Sequence, residues 1–436
     1  MLTNEQDRNN FQNPGSPVPS RNPVWRFFVE KKKFIESISS GWIIFLCTLS
    51  LSGVGCGQKL ISRSLPVLDF QRGKLEKLAV YDPEDERYWQ LDVRSYDLSA
   101  LSLKDRSDDL MMSCFDSKTK WSKDLPPSFN AKYIMELGKN PGLGIRTLHR
   151  MGITGKGVYV GLIDQGLLTQ HVEYKDRLRF YEEIHCLDDE ATMHGPATAS
   201  ILAGKTAGVA PEATLYYIAT TMHDPAENKK FELDLKYLAQ SINRLLDINN
   251  SLPKERRIRA IAVAIRLSND VKNADLANDA VERAKKAGVF VITSSLFETH
   301  GFKFSGLNRI PIADPEKPSS YTLGSFLLWK NRLTEILKED NHERLLIPMD
   351  SRCTASPTGK SDYAFYRKAG HSWVIPYIAG LYVLACQVKP DVEPETFWRA
   401  AISSGNTLEM EREKNRYCLG QIVNPEALIR QLQNAK

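Results

Sequence analysis

No two of the seven cysteines, Cys47, Cys56, Cys114, Cys186, Cys353, Cys386 and Cys418, form a CxxC pair. Zinc ribbons and thioredoxin-type redox sites are thereby unsupported. The odd count and wide spacing describe no disulfide framework, although one bridge remains open. Cys386 follows the apolar run Leu381–Ala385 and reads as a buried thiol. A long basic stripe interleaved with aromatics is also missing. The 58 Lys and Arg against 53 Asp and Glu leave a net charge of only +5, with the signs interspersed. Nucleic acid is therefore not an expected partner. His171 and His300 lack ligand-spaced partners, so no metal site is expected from them. What remains is ordinary globular composition, 42% apolar and 25% charged. At 436 residues, one large domain with extras or two to three domains is expected.

Residues 1–40 are polar, basic and without hydrophobic period, and are expected to be disordered. They end in the basic run Lys31–Lys33 and lead into an apolar stretch within residues 41–57. Positive, then apolar, then small is the order of a secretory signal or signal anchor. The stretch is shorter than the ~20 residues of a full span. Its cationic flank places the rest of the chain outside the cytoplasm. Gly53, Val54 and Gly55 before Cys56 loosely resemble a lipoprotein cleavage box, with Gly53 where leucine is usual. Membrane attachment through residues 41–57 and an extracytoplasmic location, secreted or membrane-attached, are the expectations. A mis-called start site or a buried helix is the alternative.

Residues 58–131 mix aromatics with many charges. Val93, Leu98 and Leu103 recur every five residues, as in one or two coils of a pentapeptide-type turn. Such a run is too short for a repeat architecture, which needs about three units to bury a core. The segment reads as an N-terminal extension packed on the main domain, or a propeptide, with no chemistry of its own.

After Pro141, short apolar runs alternate with helical patterns. Strands are expected at Val158–Ile163, Leu215–Ile218, Ile261–Ile265 and Val289–Ile292. Helices are expected through Leu235, Leu238, Ile242, Leu245 and Leu246, and through Leu276, Ala280 and Ala284. The alternation predicts an α/β fold with a mainly parallel sheet flanked by helices.

Three local sequences carry candidate chemistry. VYVGLIDQG places Asp164 at the carboxyl end of a buried strand, where α/β sheets form their sites. In MHGPATASILAG, His194 opens a run of small residues that lets a helix approach a sheet closely. In GHSWVIPYIAG, Ser372 opens an apolar helix. Free N–H groups at a helix start favour an oxyanion beside the serine. A histidine can take the hydroxyl proton, and a buried aspartate can fix its tautomer. Singly, these residues read as a turn aspartate, a satisfied histidine and a helix cap. Their ordered combination reverses that reading. Other motifs fail on context. Gly152, Gly155 and Gly157 precede their strand, whereas a dinucleotide loop comes after one. AGKT at Ala203–Thr206 has Ala199 where a phosphate loop needs its first glycine. GHSWV has Val374 where a nucleophile elbow needs its second.

The three blocks resemble the signatures of the subtilase family, in its order Asp, His, Ser. Asp164-Gln165-Gly166 is similar to its Asp-Thr/Ser-Gly. His194-Gly195-Pro196-Ala197 is similar to its His-Gly-Thr-His. Gly370-His371-Ser372-Trp373-Val374-Ile375-Pro376 is similar to its Gly-Thr-Ser-Met-Ala-Thr-Pro. The resemblance covers about residues 138–404. It implies a subtilisin-like three-layer sandwich in residues 132–436 and a serine endopeptidase with Asp164, His194 and Ser372 as catalytic residues. It further implies a peptide or protein substrate and no required cofactor. Calcium sites occur in the family, and none is placed here.

The chain departs from the family at the oxyanion site. Counting from Gly288 puts Phe297 where the family supplies an asparagine donor, and phenylalanine donates nothing. Loss of one such donor costs ~10²–10³ in turnover. Ser294, Ser295 and Thr299 are the nearby hydroxyls. Arg266-Leu267-Ser268 stands for the Ser-Leu-Gly of the substrate strand, and Pro196 and Ala197 are atypical beside the histidine. The alternatives are a pseudoprotease that binds peptides or proteins, and an esterase or amidase on the same scaffold.

Overall fold

The computed structural model describes residues 59–85, 89–222, 233–268, 270–325 and 332–434. The chain divides into two compact units, Met1–Cys56 and Gly57–Lys436, and all described residues belong to the second. The stretch expected to be a signal or anchor, residues 41–57, lies outside the described residues.

The first part carries four two-residue strands, β1 (Leu60–Ile61), β2 (Gly73–Lys74), β3 (Tyr96–Asp97) and β4 (Phe115–Asp116), and a short helix α1 (Ser107–Met111). Helices α2 (Ala131–Lys139) and α3 (Ile145–Arg150) lead to β5 (Tyr159–Asp164), β6 (Leu178–Glu183), α4 (His194–Ala203) and β7 (Thr214–Ala219). Next come α5 (Lys236–Ser251), β8 (Ile258–Val263), α6 (Ala274–Lys286), β9 (Phe290–Thr293) and α7 (Leu296–His300). The last third holds β10 (Lys303–Arg309), β11 (Tyr321–Leu323), α8 (Arg332–Ile336), β12 (Arg344–Pro348), β13 (Arg352–Ala355) and β14 (Tyr363–Tyr366). It ends with α9 (His371–Val388), α10 (Pro394–Ser403), β15 (Asn406–Arg412), β16 (Asn415–Ile422) and α11 (Pro425–Asn434).

The main sheet runs β1-β6-β7-β5-β8-β9, with every pairing parallel. Its residues alternate between two apolar layers. Val160, Leu162, Tyr217, Ala260 and Ile292 pack with α4 and α9. Ile163, Ile218, Ile261, Val263 and Val291 pack with α5 and α6. Strands covered on both faces need apolar residues at nearly every position, which is why they read as continuous runs. The result is a three-layer α/β sandwich. A second sheet, β11-β10-β12-β16-β15, continues the architecture.

From β5 the chain goes one way to β6 and β7, then crosses to the other side of β5 for β8 and β9. That reversal opens a crevice at the carboxyl end of β5, where ligands bind in such sheets. Helix α9 is apolar all round and 78% buried, so it is a core helix although it is long and apolar enough to cross a membrane. Two expectations shift. The strand expected over 261–265 ends at Val263, because Ile265 N–H turns back onto the Val263 carbonyl at 2.8 Å. Leu276 is 43% exposed, since α6 lays Ala277, Ala280 and Ala284 on the sheet instead.

The described residues ahead of α2 are woven into this frame. β1 pairs with β6 at the sheet edge, and β4 pairs antiparallel with β14. Val93, Leu98 and Leu103 are all buried, and their N–H groups bond to the carbonyls of Cys114, Lys120 and Asp124 in the next turn. The Phe115 ring stacks on Phe365 of β14 at 5.0 Å.

Candidate active site

Asp164 ends β5 and is only 5% exposed. Its Oδ1 accepts the Gln165 N–H at 2.8 Å and stands 2.7 Å from His194 Nδ1. Its Oδ2 accepts the Thr198 hydroxyl at 2.9 Å. A carboxylate held this way leaves the other imidazole nitrogen of neutral His194 as an acceptor. His194 is the first residue of α4, and Gly195 lets it sit there: a Cβ on Gly195 would run into the Tyr217 hydroxyl and approach the Gln165 carbonyl to 2.7 Å. The Tyr217 hydroxyl donates to that carbonyl and clamps the turn after Asp164. Pro196 falls in the first helical turn, where its missing N–H costs no helical bond. Burial works against charge on His194, but the adjacent Asp164 carboxylate outweighs it, so the imidazole pKa is held above its ordinary value.

Ser372 is the second residue of α9, beside His194: the ring of the next residue, Trp373, meets the imidazole edge-on at 5.6 Å. Among the described residues neither the Ser372 hydroxyl nor its N–H has a hydrogen-bond partner, and no bond joins Ser372 to His194. The loop entering α9 is tied by buried Asp350, whose Oδ1 accepts the Ala369 N–H at 2.8 Å. The structure thus brings Asp164 and His194 into direct contact and sets Ser372 at a helix start alongside, unbonded.

Sequence reasoning missed Thr198 and Asp350. Thr198 stands one helical turn after His194, so it shares that residue's face. Nothing in the sequence marked Asp350.

The expected oxyanion side is different. Phe297 lies on α7 with 55% of its surface exposed. The Ser295 hydroxyl is taken up by Leu267, donating to its carbonyl at 2.8 Å and accepting its N–H at 3.0 Å. The Thr299 hydroxyl donates to the Ser295 carbonyl at 3.0 Å. Ser294 is half-buried, and Arg266 is exposed in the loop after β8. His171 is buried: its Nδ1 accepts the Glu173 N–H, and its Nε2 meets the Asp362 carbonyl at 2.8 Å. Burial holds its pKa below the ordinary value. His300 is packed between Phe290 and Phe302, and burial pushes its pKa down to about 4. Among the described residues no cluster of three His, Cys, Asp or Glu side chains could hold a metal ion. The five described cysteines are free thiols.

Residues 155–300 match the model of the subtilase family, Peptidase_S8. The chain is 24% identical over 241 residues to subtilisin-like protease 2 of Arthroderma otae, covering 54% of this chain and 52% of that protein. It is 27% identical over 172 residues to the minor extracellular protease Vpr of Bacillus subtilis, covering 36% of this chain and 19% of that one. The chain thus spans about half the length of the fungal relative and less of the bacterial one. Solved structures similar to it include the prenylagaramide maturation protease PagA, at 16% identity and TM-score 0.46, covering 67% of this chain and 99% of that one. The subtilase cytotoxin SubAB assembly matches at 13% identity and TM-score 0.47, covering 67% of this chain and 95% of that one. Over residues 155–300, this chain is therefore similar to the subtilase family.

Proposed function

We propose that the chain is a serine endopeptidase acting on peptide or protein substrates through Asp164, His194 and Ser372. The observation that carries the reading is the 2.7 Å contact of His194 with buried Asp164, beside Ser372, whose N–H and hydroxyl have no partner among the described residues. The hydrogen bond from Ser372 to His194 that the reaction needs forms when substrate is bound. Ser372 Oγ attacks the scissile carbonyl while His194 Nε2 takes its proton. Asp164 holds the tautomer and stabilises the imidazolium. His194 then gives the proton to the leaving amine as the C–N bond breaks. Water, deprotonated by the same imidazole, hydrolyses the acyl-enzyme. The Ser372 N–H at the start of α9 is one oxyanion donor. No cofactor enters this chemistry. A fluorophosphonate probe tests it: the phosphorus bonds to Ser372 Oγ and fluoride leaves. Labelling of the full chain that vanishes in Ser372→Ala supports the reading.

A second reading is favoured by the Phe297 side. With no donor there, the cleft would serve a pseudoprotease that binds peptides or proteins. Folded wild-type chain that takes no label yet retains a peptide ligand would establish that reading instead.

We also read the chain as extracytoplasmic. The order of residues 31–57 supports this, and one relative is named as extracellular. Fractionation of cells expressing the full chain tests it, and recovery in the cytoplasm would overturn it.

A further inference from the structure

We propose that Arg94 is a positioning residue of the active site, so that the segment around Phe70, Trp89 and Arg94 is a working part of the enzyme rather than a detachable leader. The inference rests on the peptidase reading. Arg94 is 9% exposed and 272 residues from Tyr366 in sequence, and its guanidinium links the residue before His194 to a tyrosine that packs on the residue after Ser372. Nε and Nη2 donate to the two oxygens of Asp92, each at 2.8 Å, which fixes the plane of the fork. Nη1 then points to two acceptors, the Tyr366 hydroxyl at 3.0 Å and Met193 Sδ at 2.9 Å. Met193 directly precedes His194. Tyr366 packs edge-on against Trp373 at 5.3 Å, and Trp373 directly follows Ser372 and touches His194. Trp89 and Phe70, also from the leading segment, lie 5.5 Å and 5.8 Å from the guanidinium carbon and enclose it.

One rigid cation therefore sets the spacing between the two ends of a proton transfer whose partners come from α4 and α9. Displacement of about 1 Å in such a pair can cost ~10² in rate. Lysine cannot replace the fork, because a single ammonium cannot hold Asp92 in two bonds and still reach both acceptors.

The test measures fluorophosphonate labelling of the full chain, separating the apparent affinity for the probe from the limiting rate of bond formation. Arg94→Lys should lower the limiting rate about tenfold or more while leaving affinity for the probe within about twofold. Tyr366→Phe removes only one acceptor and should lower the limiting rate severalfold, with unchanged circular dichroism. It decides the matter alone if Arg94→Lys does not fold. A Tyr366→Phe limiting rate within about twofold of wild type overturns the inference, as does a normal rate in folded Arg94→Lys. A folded wild-type chain that takes no label overturns the peptidase reading and this one with it.

Discussion

The surroundings of Asp164 and those of Phe297 are built to different standards. On the acid–base flank, the Asp164 carboxylate accepts Gln165, His194 and Thr198 and is nearly sealed from water. On α7, Phe297 is 55% exposed with Lys303 Nζ over its ring, the Ser295 hydroxyl is bonded to Leu267, and the Thr299 hydroxyl donates to the Ser295 carbonyl. Hydrogen bonds that order β5 and α4 do not require a donor on α7.

The contrast is broken most directly by restoring what α7 lacks. Phe297→Asn should raise the limiting rate of turnover or of acylation by ~10² with little change in KM, since the added donor acts on charge that develops only in the transition state. The exposure of Phe297 makes the exchange cheap for folding. Steady-state kinetics on a peptide panel would check it. An unchanged limiting rate would mean that α7 does not face the developing oxyanion.

The acid–base flank is probed by the hydroxyl that supports it. Thr198→Val preserves shape and removes the donor to Asp164 Oδ2. A hydrogen bond to a charged group contributes about 1.5–3 kcal/mol, so roughly a tenfold loss in kcat is expected. Thr198→Ser should restore most of it. If serine and valine behave alike, the hydroxyl serves only the Gly195 carbonyl it also meets at 3.0 Å.

Much of this was legible in the sequence, for physical reasons. Strands buried on both faces must be apolar throughout, so β5, β7 and β9 stood out. A helix that approaches a sheet closely must be small-residued, so α4 announced His194. The rest depended on partners distant in the chain. Thr198 is an unremarkable helical threonine until α4 lies against the end of β5. Arg94 sits in a segment that suggested no chemistry, and it matters only through Tyr366 and Met193. That the Ser295 hydroxyl is occupied depends on Leu267, 28 residues away.

The mildest test uses pH. Burial opposes charge on His194, and the Asp164 carboxylate reverses that, raising the pKa. The base must be neutral, so turnover should climb with pH and reach half its plateau above the ordinary histidine value of about 6.5. In Asp164→Asn the anion is gone while burial stays, so the His194 pKa should fall below that value. Imidazole resonances followed by NMR in the Ser372→Ala background would read both shifts without self-digestion. Stability changes with a definite sign. A pKa raised on folding means that the ion pair stabilises the fold fully below about pH 6.5, and that this contribution fades as pH rises through the folded-state pKa. A His194 pKa at or below 6.5 in the parent would show that the Asp164 contact is not strong enough to overcome burial, and the surroundings of Asp164 and of Phe297 would then differ less than their hydrogen bonds imply.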